Sequence, residues 1–323
     1  MKTEDDYIKE VKEDEKNIQF LPLHLKANKN FILKFFEDKS FNNDQLLFYS
    51  SNEIKDDKEV VLKMVERNGY GLIHASDRLK DNEEVVKIAV EENALAILGV
   101  SKRLKDNTEI GLIAIRKICD YIPNHPLRYL SDRLRDNTDF VLEAVKYNAD
   151  AIRYASKKIR SNREIGLIVA KNSPLNLDFL SDDLKNDDQI VLAAIKHNAR
   201  ALEYASDRLR NNKEMAMIAI DNNAHALSYV SDSLKDDKSL VLKAVGYTGA
   251  VLKYASSRLR GDKEVALEAY KTHTVSINYF SQELRDEIEG KDIVKYLESY
   301  ILKEKLNTTL PKENSVKSKK IKL

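Results

Sequence analysis

Of 323 residues, 42% are apolar and 33% charged, with nine Gly, five Pro and no Trp; this much apolar surface excludes wholesale disorder, and so few turn formers argue against a many-stranded β fold. Lys and Arg number 54 against 53 Asp and Glu, so no global field draws the chain to nucleic acid or to an anionic membrane. A single cysteine, Cys119, excludes an internal disulfide framework and a Cys-rich zinc module, and apolar runs as short as Ala94 to Val100 exclude a membrane-spanning helix. The acidic start from Met1 to Val11 lacks the apolar stretch of a secretory signal. A cytoplasmic protein without membrane insertion is therefore expected.

In chain order, residues 1–18 carry seven acids and four lysines and read as an acidic N-terminal extension, a polar helix or fray. Leu21 to Phe36 reads as a degenerate first copy of a repeat, in which Leu25 and Lys26 match Leu79 and Lys80 but Pro22 replaces a serine. Beyond it the repeat is regular. Serines in segments such as YAS, YVS and FLS stand at Ser51, Ser76, Ser101, Ser131, Ser156, Ser181, Ser206, Ser231, Ser256 and Ser281; eight of the nine intervals are 25 residues and the ninth is 30. Within one unit, Ile190, Val191, Ala194 and Ile195 fall at i, i+1, i+4 and i+5, the period of a helix. Leu202, Ala205, Ser206 and Leu209 predict one stripe of a second helix. Asp or Asn with Glu close behind, as in Asn211-Asn212-Lys213-Glu214, marks the start of the first helix. An Asn eight residues before the serine (Asn43, Asn68, Asn93, Asn148, Asn198, Asn223) predicts a left-handed residue closing it.

Two helices of about ten residues cannot hide their own apolar faces, so neighbouring units must stack. The expected architecture is all-α: an α-solenoid of ten or eleven stacked two-helix repeats over residues 19–286, with a 25-residue period. Ankyrin and tetratricopeptide repeats, with periods of about 33 and 34, fail on length. Residues 287–305, with Ile293, Val294, Leu297, Tyr300 and Ile301 on one side, predict a C-terminal capping helix, and 306–323 a basic tail expected to be disordered. Residues 301–323 hold seven lysines and two glutamates, leaving 47 bases against 51 acids in residues 1–300. The solenoid itself is slightly acidic.

The repeat, seen from Asp187 to Asn212 and again from Asp237 to Asp262, has the form D-x-E-V-V-L-x-A-V-x-x-N-x-x-A-L-x-Y-A-S-x-x-L-R-x-D with variations. It resembles a tandem helical repeat family of unknown function found in bacteria, protists and large DNA viruses. The resemblance spans roughly residues 40–290, implies a repeat scaffold, and offers no catalytic residue to transfer.

Two features invite a functional reading. An aromatic stands two residues before the serine in eight of ten units and a base two residues after it in six. On one continuous helix, Tyr129 and Arg133, Tyr154 and Lys158, Tyr204 and Arg208, and Tyr254 and Arg258 would share a face and stack into parallel rows. Rings interleaved with cations suit an acidic or phosphorylated protein segment or a single nucleic-acid strand. The packing alternative, rings between repeats and bases paired with acids, is the stronger one, because Asp81, Asp106 and Asp136 each follow a base of a second basic row. The rows break at Gly99 and at Asp183. The second feature is the five-residue insertion near Cys119 to Pro126, with two prolines, which serves either as a contact loop or as neutral drift.

No cofactor, metal or catalytic residue is expected. The six histidines lack metal-ligand spacing, and no P-loop, G-x-G-x-x-G or G-x-S-x-G occurs. The basic end Lys317 to Lys322 is the kind of short charged run common in solvated termini. The expected function is a non-catalytic interaction scaffold that binds a protein partner, with a nucleic-acid-binding solenoid as the alternative.

Overall fold

The computed structural model describes residues 2–38, 45–117 and 125–309. Cys119 and most of the insertion, Asn43, and the tail beyond 309 lie outside them. Among the described residues the structure is helical throughout and has no strand: an all-α repeat solenoid. The chain divides into two compact units, residues 1–184 and 185–323.

A repeat of the second unit begins at Asp187, which accepts the backbone N–H groups of Gln189 and Ile190 and starts the helix Asp188–His197. Ile190, Val191, Ala194 and Ile195 on this helix are fully buried, as the period requires. The second arm is not one helix. Ala199–Tyr204 is a 3-10 segment, and Asp207–Arg210 is a separate single α-turn. The break is Ser206, held at φ −60°, ψ 157°, where its hydroxyl accepts the Leu209 N–H. A capping serine must leave the helical region to reach that donor, so the stripe expected through Leu202, Ala205, Ser206 and Leu209 is interrupted. Leu202 and Leu209 are nonetheless both fully buried.

Asn198 also differs from expectation. It sits at φ −151°, ψ 109°, and no non-glycine described residue has positive φ. Its side chain accepts the Arg200 N–H at 3.0 Å, so it opens the 3-10 segment, while its own N–H still bonds the Ala194 carbonyl at 2.9 Å. An amide side chain that reaches its own backbone two residues on removes the need for a left-handed residue.

The first unit follows the same order from its beginning. Glu4–Glu13 is a ten-residue helix, Asp14 caps the 3-10 segment Glu15–Phe20, and Pro22 precedes the turn Leu23–Lys26. Ile18, Leu21 and Leu25 are buried at the positions of Leu72, Ala75 and Leu79. The residues read as an acidic extension thus share the repeat's local structure. Phe20 occupies the aromatic position, two before Pro22, and is 74% exposed.

At the far end of the second unit, the 17-residue helix Ile293–Thr309 packs on Lys263–Thr272, with Leu297 fully buried.

Within each unit one backbone bond joins consecutive repeats. The marker serine N–H donates to the carbonyl of the base that ends the preceding α-turn. In the first unit, Ser51 bonds Lys26, Ser76 bonds Lys55 and Ser156 bonds Arg135; in the second, Ser206 bonds Lys185 and Ser281 bonds Arg260, all at 2.9–3.0 Å. Pro22 has no N–H or hydroxyl to offer a preceding repeat.

Ser131 accepts from the Leu134 N–H at 3.2 Å and donates its own proton to Asp106. Ser131→Ala is expected to lower unfolding stability by about 1 kcal/mol through loss of the cap. Ser131→Asp, which keeps an acceptor but sets a carboxylate against Asp106, is expected to cost more. Urea titrations of the three proteins check the order; an aspartate variant more stable than the alanine variant contradicts it.

Candidate functional site

The rows expected to form a site lie on the second arm, and their geometry follows from the serine break. Tyr129 ends the 3-10 segment Pro126–Tyr129, whereas Arg133 belongs to the next turn, Asp132–Arg135. The extended Ser131 between them means that the two do not share one helix face; the same holds for Tyr204 and Arg208 and for Tyr254 and Arg258. Tyr129, Tyr154, Tyr204 and Tyr254 are all half-buried, while Arg133, Lys158, Arg208 and Arg258 are exposed. The structure brings Arg133 together with Tyr154 of the following repeat instead. They line a cleft of about 500 Å³ with Asp132, Arg135, Asp136 and Ser156. The cations nearest Tyr129 and Tyr254 are their chain neighbours Arg128, 5.8 Å from the ring centroid, and Lys253, 4.8 Å away.

The bases two residues after the serine are held by the preceding repeat. Arg133 Nε lies 2.9 Å from both carboxylate oxygens of Asp106, and its Nη2 donates to the Asp106 carbonyl. Arg78 grips Asp56, Arg103 grips Asp81 and Arg258 grips Asp236 in the same way, at 3.0–3.2 Å from Nε. Lys158 reaches Asp136 at 3.6 Å. Each of these aspartates also accepts the marker serine's proton. The serine hydroxyl first, and the arginine second, hold Asp56, Asp106 and Asp236 below the usual carboxylate range. We call this Ser–Asp–Arg arrangement the staple. Its bases pair backward, with the acid that ends the previous turn.

The staple explains a pattern that sequence reading left unconnected. All five aspartates found five residues after a marker and followed by another repeat, at positions 56, 81, 106, 136 and 236, face a base in the next repeat. At four of the five positions where that acid is absent the base is absent too: Ala27 is followed by Glu53, Ser161 by Asp183, Asn211 by Ser233 and Gly261 by Glu283. Freed of a partner, the position takes an acid suited to the positive start of a short turn, or a serine that bonds Asn211 at 2.5 Å. Asn186 alone faces a base without supplying charge, and Asp188 supplies it, 2.8 Å from Arg208 Nη2. The Asp183 interruption is thus the complement of Ser161. Gly99 interrupts the aromatic row because a Cβ there would lie 2.9 Å from the Ile73 backbone.

From the insertion, His125 and Pro126 are described. His125 does the work that Asn does elsewhere: its Nδ1 accepts the Leu127 N–H at 3.1 Å and opens the 3-10 segment. It is 3% exposed, 6.0 Å from the Tyr154 ring, and its Nε2 is buried without a partner. Burial pushes the imidazole down to about 4, against the Asp150 carboxylate, which favours its charged form.

Among the described residues no group of His, Cys, Asp and Glu is placed to hold a metal ion, and no helix is long and apolar enough to cross a membrane. The family model described as "Domain of unknown function (DUF4116)" matches residues 39–80, 57–105, 123–160, 162–210, 189–235 and 237–285, and the chain belongs to that family. No curated protein and no solved structure matches it.

Two outcomes test the site's energetics. The double variant Ser161→Asp/Asp183→Arg is expected to be more stable than the two single variants predict by addition; strict additivity in urea unfolding contradicts the staple. For His125 the folded value lies below the unfolded value near 6.5. The unfolded chain therefore takes up a proton first as pH falls. Stability is expected to be full above pH 6.5 and to decline toward pH 4 by at most about 3 kcal/mol, a window above that of the stapled aspartates. His125→Asn, which keeps a capping acceptor, is expected to flatten that window; an unchanged slope in pH-dependent denaturation contradicts it.

Proposed function

We propose that this member of the DUF4116 family is a non-catalytic scaffold that binds a protein partner through the exposed second-arm surface of its repeats. The observation that carries this reading is the cleft between consecutive repeats. There the Tyr154 ring stands beside Arg133, whose guanidinium is fixed by Asp106 yet has a side chain 55% exposed. Tyrosine and arginine dominate binding energy at protein interfaces, and side chains already immobilised lose little further entropy on association. The same residue types recur at Arg208 with Tyr229 and at Arg258 with Tyr279. Because carboxylates already neutralise the staple bases, this surface favours a protein over a polyanion, whose binding would draw on unpaired cations.

The test uses the full chain as bait in an extract of its source cell, beside a variant with Tyr129, Tyr154, Tyr204 and Tyr254 changed to alanine and its helicity confirmed by circular dichroism. A protein retained by the first and lost by the second is expected, with about 1–2 kcal/mol per ring. Retention of nothing, or equal retention by both, removes the reading. A nuclease-sensitive complex whose affinity falls steeply with salt would transfer it to nucleic acid.

A further inference from the structure

Two basic rows run along the second arm, and only one of them is used up by the staple. The other, four residues after the marker, is Lys or Arg in every repeat from Lys26 to Arg285. That constancy contrasts with the staple position, which changes to acid or serine wherever its partner acid is missing. At three of its members the partner acid lies within the same turn. Arg135, Arg210 and Lys235 pair only with the aspartate three residues earlier in their own turn, and those side chains, Asp132, Asp207 and Asp232, are 91%, 93% and 99% exposed. Such pairs are nearly fully hydrated and hold their cations weakly. In Arg135, Arg210 and Arg260 the Nε is also buried with no acceptor. In Arg160, by contrast, Nε donates to the Ala155 carbonyl at 3.1 Å and Nη2 to the Arg153 carbonyl at 2.6 Å. The paired geometry is therefore one that an incoming acid can replace.

The surroundings of the row are those of an acid-binding groove. Two of the bases are placed beside the aromatic of the following repeat: Lys26 Nζ is 5.5 Å from the Tyr49 ring centroid, and Arg135 shares a cleft with Tyr154 and Ser156. We propose that this row, in each unit, is the contact line for an extended acidic protein segment, each of whose carboxylates displaces a surface aspartate and enters between a base and the next ring. This rests on the scaffold reading above and narrows it to a partner chemistry. Packed helices lie about 8–10 Å apart, and an extended chain advances about 3.3 Å per residue. An acid at every third residue therefore matches one base per repeat. A nucleic-acid strand is the poorer fit, because 47 bases against 51 acids in residues 1–300 supply no field for a dense polyanion.

The experiment measures fluorescence anisotropy with the full chain and a labelled peptide of about 18 residues carrying Glu at every third position. The controls are the same peptide with Gln at those positions and an oligothymidylate of equal length. Binding of the Glu peptide alone is expected. Arg210→Gln/Arg260→Gln is expected to weaken it by about tenfold, Arg210→Lys/Arg260→Lys to preserve it, and Lys196→Gln, an exposed base at the end of the helix Asp188–His197 and outside both rows, to leave it unchanged. The lysine pair shows that any loss in the glutamine pair reflects charge and not misfolding. Equal binding of Glu and Gln peptides, indifference to the glutamine pair, or tighter binding of the oligonucleotide overturns the proposal. A cellular partner lost on tyrosine substitution but indifferent to Arg210→Gln/Arg260→Gln leaves the scaffold standing and overturns the acidic segment alone.

Discussion

A hydroxyl group has one proton to give and lone pairs to receive, and the marker serine uses both. In the stapled repeats it accepts the N–H three residues ahead, which fixes its own turn, and gives its proton to the acid that ends the turn before, as Ser131 does with Leu134 and Asp106. Its backbone N–H, meanwhile, bonds the carbonyl of the base beside that acid. Two of these bonds lock the turn to its predecessor, and the third seats the buried Leu or Ile three residues on. Alanine would lose the side-chain bonds, and proline, as at Pro22, loses the backbone one as well.

This constraint sets the electrostatics of the second arm. An acid that must accept from a serine is placed where an arginine two residues beyond that serine can reach it, so the staple arises without any change in net surface charge. The near balance of bases and acids in the whole chain is in part this local matching repeated. The row four residues after the marker is held differently: Arg135, Arg210 and Lys235 meet an acid of their own turn, and Lys105 and Arg285 the carbonyl seven residues back, of Leu98 and Asn278. The distinction between sealed and open cations, more than net charge, decides which surface can recruit an anion.

Much of the fold was legible. The 25-residue interval and the i, i+1, i+4, i+5 burial of the first helix carried through to Ile190, Val191, Ala194 and Ile195. The second arm was not, because burial periodicity cannot distinguish one helix from two short turns aligned by chance: Leu202 and Leu209 are seven residues apart and both buried, although Ser206 between them is extended. The cue was present in the capping chemistry, a serine three residues before a buried Leu. The same applies to Asn198, whose side chain can cap forward as readily as its backbone can turn left. Residues 4–26 hid their kinship because Pro22 and Asp14 stand where serine and asparagine are usual, although Ile18, Leu21 and Leu25 keep the apolar register. For the site, the aromatic and basic rows were visible, but their partners were not, since contacts 22 residues apart become visible only once repeats are compared pairwise. The pairing of Asp with Arg, and of Ser161 with Asp183, could have been read from the chain alone.

The pairwise nature of the staple also governs how such an array can grow or shrink over generations. Deleting the period from Asp77 to Ser101 would set Asp56 against Arg103, a junction as sound as the one it replaces. Deleting the period from Lys157 to Ser181 would set Asp136 against Asp183, two carboxylates where one bond had been. Copy number is thus free to drift in one stretch of the chain and is held fixed in another, by nothing more than which half of a pair each repeat carries.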